Sequence, residues 1–179
     1  GYTVGHSGID ILLYLGKLVL TLYAALIIFV IIVLIPVMII SKIPIRLFWS
    51  YVKEPALIAF STTSSDAALP DAMKQMMKFG VPARIVSFVL PTGYSFNLDG
   101  TTLYLAVATM FVAQAAGVSL SWEQQVIIVL TLMVTSKGVA AVPRASLVIL
   151  SGTLVSFGLP LEGVAIILGV DAFMDMART

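Results

Sequence analysis

The chain has 179 residues, of which 60% are hydrophobic and only 11% are charged, and its mean hydropathy is +1.08. Soluble domains carry roughly 25% charged and 45–50% apolar residues, so this composition predicts an integral membrane protein. The formal net charge of +1 argues against a nucleic-acid partner, and the absence of cysteine excludes disulfides, thiol catalysis and cysteine-based metal sites.

The first segment, residues 1–53, is predicted to be the end of a loop followed by a transmembrane helix. Residues 18–40 carry no charge, and at ~1.5 Å rise per residue this run exceeds the ~30 Å hydrocarbon thickness of a bilayer. Pro36 predicts a kink near its end. The alternative, a buried core helix of a soluble enzyme, is disfavoured because no amphipathic helices remain to cover such a core. The chain starts without Met and stops within an apparent helix, so we expect a fragment of a longer protein.

Basic residues flank residues 54–73 on both sides, and this pattern indicates that residues 54–80 form a re-entrant hairpin. Lys and Arg cluster in residues 42–53 and again in residues 74–84, and positive charge marks the cytoplasmic side of a membrane. The apolar run between the two clusters, residues 56–60, is too short to cross a bilayer. The segment is therefore expected to enter the membrane and return to the same side, with its tip at residues 61–66.

Residues 81–118 are expected to form a transmembrane helix broken at the motif NLDG, residues 97–100. Residues 119–159 contain a second Gly- and Pro-rich interruption between two acidic loops, which predicts a second re-entrant hairpin of opposite orientation. Residues 160–179 are expected to be a truncated final transmembrane helix. The fold class is thus an all-α membrane protein with transmembrane helices, two hairpins and a broken helix. Such interruptions indicate a secondary transporter, because non-helical backbone at membrane depth must line a cavity or be buried in protein.

Four carboxylates are expected at membrane depth: Asp66, Asp99, Asp171 and Asp175. A charge at the bilayer centre costs ~2.5–3.5 kcal/mol, so each of them predicts a functional role. Asp171, Asp175 and Arg178 follow one another at spacings of four and three, which places them on one face of a helix. The structural alternative is a salt bridge between Asp175 and Arg178 that only holds the helices together.

The break at NLDG predicts a cation site. Gly100 frees the backbone, Asn97 and Asp99 supply hard oxygen ligands, and carbonyls released by the break supply more. This set suits Na⁺ or a proton rather than a transition metal. The N-termini of half-helices meanwhile present N–H groups and a positive dipole to an anion.

Four stretches of the chain, SFNLDGTTLY, STTSSDAALP, SKGVAAVP and LPLEGVAIILGVDAFMDMART, resemble signature motifs of the dicarboxylate/amino acid:cation symporter family. The resemblance covers residues 9–179 and implies most of a mobile transport domain, with the second hairpin as its gate. It implies a multi-pass homotrimer in the lipid of the cell (plasma or inner) membrane, which moves this domain like an elevator against a fixed scaffold. It implies a transporter, not an enzyme, with no cofactor other than a coupling cation, Na⁺ or H⁺.

The resemblance also implies roles for individual residues. Arg178 would bind the distal carboxylate of a small anionic substrate, and Asp175 would bind its ammonium group. The remaining substrate-binding residues would be Thr101, Thr179, Ser65 and Val142. The cation-binding residues would be Gly93, Ser95, Asn97, Asp99, Ser136, Lys137 and Val139, with Na⁺ possible at Asp99 and Asn97 and with Asp171 as electrostatic support.

The identity of the substrate stays open between two classes. Asp175 favours glutamate or aspartate, because an ammonium group needs a carboxylate partner. Leu105, where glutamate carriers often have Glu or Gln, and Thr63, where some relatives have a second arginine, favour C4-dicarboxylates such as succinate, fumarate and malate. Two further readings are a passive anion channel and an intramembrane aspartyl enzyme that uses Asp99 and Asp171, although the GxGD arrangement of such enzymes is absent.

Overall fold

The structure is a computed structural model that describes residues 2–138 and 146–179. All regular elements in these ranges are helical, as the sequence predicts. In chain order the helices are α1 (Tyr2–Phe29), α2 (Ile35–Ile40), α3 (Ile45–Thr62), α4 (Ser65–Phe79), α5 (Ala83–Phe96), α6 (Asp99–Ala115), α7 (Trp122–Thr135), α8 (Ser146–Ser156), α9 (Glu162–Ile167) and α10 (Asp171–Arg178). A π-helical turn, Val30–Leu34, joins α1 to α2, and a 3₁₀ turn, Ser136–Gly138, follows α7.

The first apolar segment forms one long helical path from α1 through α2. The most apolar 18-residue stretch between Ile9 and Ile40 has a mean hydropathy of 3.2, and only 11% of this stretch is buried in protein. A core helix of a soluble protein would be mostly buried, so this surface is suited to hydrocarbon. The irregularity expected at Pro36 is present as the π-helical turn just before it, because proline has no N–H to continue the helical ladder.

α3 and α4 pack against each other as a helical hairpin. Thr63 ends α3 with a left-handed φ of 51°, and the Ser64 hydroxyl then caps α4 by accepting a hydrogen bond from an amide in its first turn. This turn lies within the predicted tip, residues 61–66. The first arm, however, begins at Ile45 rather than near residue 54, because the basic stretch between them contains no Gly or Pro and Lys and Arg are good helix formers. Entry of the hairpin from one membrane face stays a prediction.

The helix that spans residues 83–115 is interrupted at the NLDG motif. α5 ends at Phe96, and Asn97 (φ −119°, ψ 72°) and Leu98 (φ −98°, ψ 61°) leave the helical conformation before α6 begins at Asp99. A helix end leaves its last carbonyls and first amides without helical partners. The break therefore exposes both kinds of backbone group at one point of the fold.

The segment after α6 begins with a capping box. The Ser121 hydroxyl accepts from the Gln124 amide, and the Gln124 side chain accepts from the Ser121 amide, which fixes the start of α7. α7 ends in the 3₁₀ turn Ser136–Gly138. Residues 139–145, which complete the predicted second interruption and include Val139 and Val142, lie outside the described residues.

The last segment consists of two short helices, whereas the sequence predicted one continuous helix from Gly163. α9 ends at Ile167, residues 168–170 form turns, and a new helix begins at Asp171. Gly169 disfavours a helical interior because it loses more backbone freedom than other residues. The turn makes α10 a separate helix, with an acidic residue in its first turn and a basic one in its last, as the helix dipole favours.

α6 is the central helix of the structure and contacts α1, α7, α8, α9 and α10. Its buried residues recur every three or four positions: Thr101, Tyr104, Leu105, Ala108, Thr109, Val112 and Ala113. α9 comes so close to α6 that a Cβ on Gly163 would lie 2.6 Å from Val112 Cγ2. The first turn of α6, directly after the break, is therefore held in a well-packed core.

Candidate functional site

The charged face of α10 is buried against the first half of α6. Asp171 and Asp175 are 0% and 1% exposed, and the side chain of Arg178 is 6% exposed. Arg178 forms an ion pair with Asp175, the pairing that the sequence left open as a structural alternative. A buried charge that loses its partner destabilises a protein by about 3–5 kcal/mol, so these groups must be compensated in any state of the site.

The guanidinium of Arg178 is surrounded by groups from α6 and α10. Its Nη2 pairs with Asp175, its Nη1 donates a hydrogen bond of 3.0 Å to Thr101 Oγ1, and its Cζ lies 5.5 Å from the centre of the Tyr104 ring. The ring face favours a cation. The Nε of Arg178 is buried and has no acceptor among the described residues. This nitrogen is therefore a donor that an anionic ligand can use.

Tyr104 joins Asp171 to this site, and the sequence reasoning missed it. The side chain is fully buried, and its hydroxyl donates a hydrogen bond of 2.8 Å to Asp171 Oδ1. The signal for it was available: a tyrosine three residues after Thr101, on the same face of α6, needs a partner for its hydroxyl when it is buried. Asp171, predicted as electrostatic support, lies one hydrogen bond away from the ring that contacts Arg178.

Gly100 lets the start of α6 come into backbone contact with the end of α10. A Cβ at this position would overlap the carbonyl oxygen of Arg178 and lie 3.1 Å from its carbonyl carbon. Only a residue without a side chain fits such an approach between two backbones. The glycine predicted to free the backbone thus also sets the distance between the break and Arg178.

The break itself contains the residues predicted to bind a cation. The Gly93 carbonyl accepts the Asn97 amide at 2.7 Å, and the Ser95 hydroxyl donates to the Pro91 carbonyl at 3.0 Å. Asp99 is half-buried at the first position of α6. The described residues contain no group of three or more His, Cys, Asp or Glu that could hold a metal ion. A cation here would depend on amide and backbone carbonyl oxygens beside Asp99, which suits an alkali ion better than a transition metal.

The break is also linked to the 3₁₀ turn that follows α7. The hydroxyls of Thr102 and Ser136 lie 2.9 Å apart, and Ser136 is fully buried. The turn contacts α5 as well. The side chain of Lys137 is exposed. Ser136, one of the residues predicted to bind a cation, thus lies next to the break, whereas Val139 and Val142 lie outside the described residues.

The first hairpin contacts the same region through its tip. The Tyr94 hydroxyl, in the last turn of α5, donates a hydrogen bond to Asp66 in the first turn of α4. Ser65 is half-buried beside Asp66. α3 also contacts α10. The tip of the hairpin is thereby joined to the break, but the described hydrogen bonds do not connect Ser65 to Arg178.

Thr179 closes α10 and is half-buried, with its amide donating to the Asp175 carbonyl at 3.1 Å. The predicted residues thus form two neighbouring groups in the described structure. The first comprises Thr101, Asp171, Asp175, Arg178 and Thr179. The second comprises Gly93, Ser95, Asn97, Asp99 and Ser136. α6 carries members of both groups, so a cation at the break and an anion at Arg178 would share one helix.

Comparison with known proteins gives a family match and several relatives. The profile of the sodium:dicarboxylate symporter family matches residues 1–179. A proton/sodium-glutamate symport protein of Bacillus subtilis (strain 168) is 51% identical over the whole chain, and a proton/glutamate-aspartate symporter of Escherichia coli (strain K12) is 48% identical over 99% of it. A C4-dicarboxylate transport protein of Bacillus subtilis (strain 168) is 44% identical over 99% of the chain. The chain spans 42%, 40% and 42% of the lengths of these relatives, respectively.

Proposed function

Because this chain belongs to the sodium:dicarboxylate symporter family, we propose that it forms most of the mobile transport domain of a symporter for glutamate or aspartate. The family consists of symporters, so the chain is not an intramembrane enzyme. The relatives are dicarboxylate or acidic amino-acid transporters, and a coupling cation is part of several of their names. Since the chain spans about two fifths of those relatives, the proposal concerns the complete transporter, by which we mean the full polypeptide that contains this chain.

The buried ion pair of Arg178 and Asp175 is the main observation that supports the assignment of an acidic amino acid as substrate. Glutamate and aspartate bring a side-chain carboxylate and an ammonium group. The carboxylate can take the place of Asp175 on Arg178, and the ammonium can take the place of Arg178 on Asp175. Both buried charges then stay paired, which avoids the cost of an uncompensated charge.

The groups around Arg178 support the orientation of such a substrate. Nη1 already donates to Thr101, and Nε is an unused buried donor among the described residues. A guanidinium binds a carboxylate through two parallel N–H groups, so Nε and one Nη nitrogen can hold the distal carboxylate together. Thr101 and Thr179 add hydroxyl groups on either side. The α-carboxylate would bind at the backbone near Ser65 and Val142.

We place the coupling cation at the break between α5 and α6. Asn97, Asp99 and the Gly93 carbonyl would form one site. The Ser95 side chain and the carbonyls of Ser136, Lys137 and Val139 would form another. The contact between α5 and the 3₁₀ turn supports this second site, because it brings together the two segments whose residues would bind the ion. The cation would thereby order the second hairpin, which is the outer gate in this proposal.

The remaining features follow from the family resemblance. The two hairpins would be re-entrant from opposite faces of the plasma or inner membrane. The complete transporter would be a multi-pass homotrimer in lipid, and this domain would move across the membrane as an elevator. The exposed apolar surface of α1 supports contact with lipid or with other apolar helices.

A second candidate function is symport of C4-dicarboxylates. Leu105, fully buried in α6, stands where an acidic or amide residue is common in glutamate carriers. A relative named as a C4-dicarboxylate transport protein is 44% identical. Succinate has no ammonium group, however, so its binding at Arg178 would not supply a positive charge to Asp175 in place of the guanidinium. This argument favours the amino acids.

The proposal is tested by uptake into proteoliposomes that contain the complete transporter. Na⁺ and pH gradients are imposed separately, and labelled aspartate, glutamate and succinate are compared. We expect accumulation of aspartate or glutamate above the external concentration when one of the gradients is present. Preferential accumulation of succinate would support the second candidate, and equilibration without accumulation would indicate a passive channel and overturn the proposal.

A further inference from the structure

The hydroxyls of Thr102 and Ser136 form a contact to which the family resemblance assigns no role, since the role it implies for Ser136 belongs to cation binding and it implies none for Thr102. The two oxygen atoms are 2.9 Å apart, although the residues are 34 positions apart in the chain. Thr102 is in the first turn of α6, directly after the break, and Ser136 is the first residue of the 3₁₀ turn. The pair therefore joins the broken helix to the second hairpin.

The hydrogen bonds around this pair can be assigned by counting donors. Thr102 Oγ1 lies 3.0 Å from the Leu98 carbonyl, and Ser136 Oγ lies 3.4 Å from the Met133 carbonyl. Each hydroxyl has one hydrogen to donate. The two shorter contacts, of 2.9 and 3.0 Å, are both hydrogen bonds when Thr102 donates to the Leu98 carbonyl and Ser136 donates to the Thr102 hydroxyl. In that arrangement Thr102 connects Ser136 to the backbone of the break itself.

The position of Ser136 gives this connection a consequence for the cation. Ser136 is fully buried, so its hydroxyl cannot exchange Thr102 for water without a change in packing. Its backbone begins the turn that contacts α5, where the proposed second cation site lies. A cation site of carbonyl oxygens requires those oxygens to be held at short and similar distances from the ion.

We propose that Thr102 is a positioning residue for the coupling cation: its hydroxyl fixes Ser136 and thereby the carbonyl groups of the 3₁₀ turn beside the end of α5. The inference rests on the proposed cation-coupled transport. It adds Thr102 to the proposed cation site as a residue that need not contact the ion. Loss of the Thr102 hydroxyl should weaken cation binding and leave the transport rate at saturating cation nearly unchanged.

The test measures uptake by the complete transporter in proteoliposomes as a function of cation concentration, with Na⁺ and H⁺ varied separately. Thr102→Val keeps the shape of the side chain and removes the hydroxyl, whereas Thr102→Ser keeps the hydroxyl. The matched control is Thr109→Val, because Thr109 is a fully buried residue of the same helix whose described hydrogen bond lies within α6, from its hydroxyl to the Leu105 carbonyl at 2.7 Å. All variants are reconstituted at equal amounts of monodisperse protein.

For Thr102→Val we expect a rise of about 2- to 10-fold in the half-saturating cation concentration, the change that corresponds to one neutral hydrogen bond. The maximal rate should stay within about twofold of the wild type, and Thr102→Ser should restore the wild-type cation dependence. Ser136→Ala should also raise the half-saturating cation concentration. The double variant Thr102→Val with Ser136→Ala should raise it no further than the stronger single variant, since both substitutions remove the same hydrogen bond.

The inference is overturned if Thr102→Val behaves as Thr109→Val does, or if the two hydroxyl deletions add fully. A wild-type protein whose uptake depends on neither gradient would overturn the proposed function, and the inference with it. Cation-dependent uptake by the wild type combined with an unchanged Thr102→Val would overturn the inference alone.

Discussion

The hydroxyl of Tyr104 donates a 2.8 Å hydrogen bond to Asp171 while the face of its ring lies beside the guanidinium of Arg178, 5.5 Å from ring centre to Cζ. One buried side chain of α6 therefore contacts an acidic and a basic residue of α10. Asp171 and Arg178 are seven residues apart, which is two turns of a helix. Tyr104 fixes both ends of this short helix against the core.

Tyr104→Phe should lower the affinity for substrate and the stability of the protein. The ring and its contact with Arg178 remain, but Asp171, which is 0% exposed, loses a hydrogen-bond donor. Hydrogen bonds to charged groups contribute about 1.5–3 kcal/mol, so we expect a rise in KM of roughly 10- to 100-fold or a matching loss of unfolding free energy. Uptake kinetics and thermal unfolding in detergent measure the two effects. Tyr51→Phe is the control, because the described contact of Tyr51 is ring packing against Phe79; equal effects of the two variants would contradict the prediction.

Gly100→Ala should disrupt the junction between the break and α10. The added methyl group would overlap the Arg178 carbonyl, and backbone cannot move aside as a flexible side chain can. Overpacking costs typically ~1–3 kcal/mol, so the melting temperature and the uptake rate should both fall. Gly152→Ala in α8 is the matched control, because a Cβ at Gly152 has no heavy atom within 4 Å. A Gly100→Ala protein as stable and active as this control would show that the close approach is not required.

Asp175→Asn should change the selectivity of uptake. An amide cannot neutralise a bound ammonium group as a carboxylate does, so aspartate and glutamate should lose about 10- to 100-fold in uptake efficiency, the range for hydrogen bonds to charged groups. Succinate, which has no ammonium group, should lose far less. The measurement is the ratio of kcat/KM values for aspartate and succinate in the same proteoliposome preparation. An unchanged ratio would refute the role of Asp175 in binding the ammonium group.

Single cysteines should reveal the topology of the two hairpins, and the chain is suited to this because it has no cysteine of its own. Lys53→Cys and Lys78→Cys should react with a membrane-impermeant maleimide from the cytoplasmic side. Glu123→Cys and Glu162→Cys should react from the opposite side. Mass spectrometry of labelled inside-out and right-side-out vesicles distinguishes the two faces. Reaction of Lys53→Cys and Lys78→Cys from opposite faces would mean that the segment between them passes through the membrane once instead of forming a re-entrant hairpin.

The sequence predicted those parts of the fold that depend on local backbone chemistry. Ser64 caps a helix at the predicted tip, and Asn97 and Leu98 interrupt the helix at the predicted motif. The split of the last segment at residues 168–170 was not predicted, because a single glycine in an apolar stretch is also compatible with a continuous helix. Local preferences alone could not decide between these two outcomes.

The charged residues of the candidate site could be predicted from the sequence, whereas two of the hydroxyl groups near them could not. The face of Asp171, Asp175 and Arg178 follows from helical periodicity, and the structure buries it. Tyr104 and Thr102 were missed because their roles depend on partners 67 and 34 residues away, which no local pattern reveals. Sequence reasoning thus found the charged residues, whose presence in an apolar chain needs explanation, and missed the neutral hydroxyl groups of Tyr104 and Thr102.

The left-handed backbone of Thr63 makes the energy of the hairpin tip sensitive to substitution at this position. A β-branched residue at positive φ is held there by its surroundings at a cost of about 1–3 kcal/mol, and glycine would adopt the same turn without that cost. Substitutions at this one position can therefore shift the energy balance between alternative shapes of the hairpin tip while leaving all ionisable groups in place. A glycine at this position would give the hairpin tip more conformational freedom with no change in the net charge of the chain.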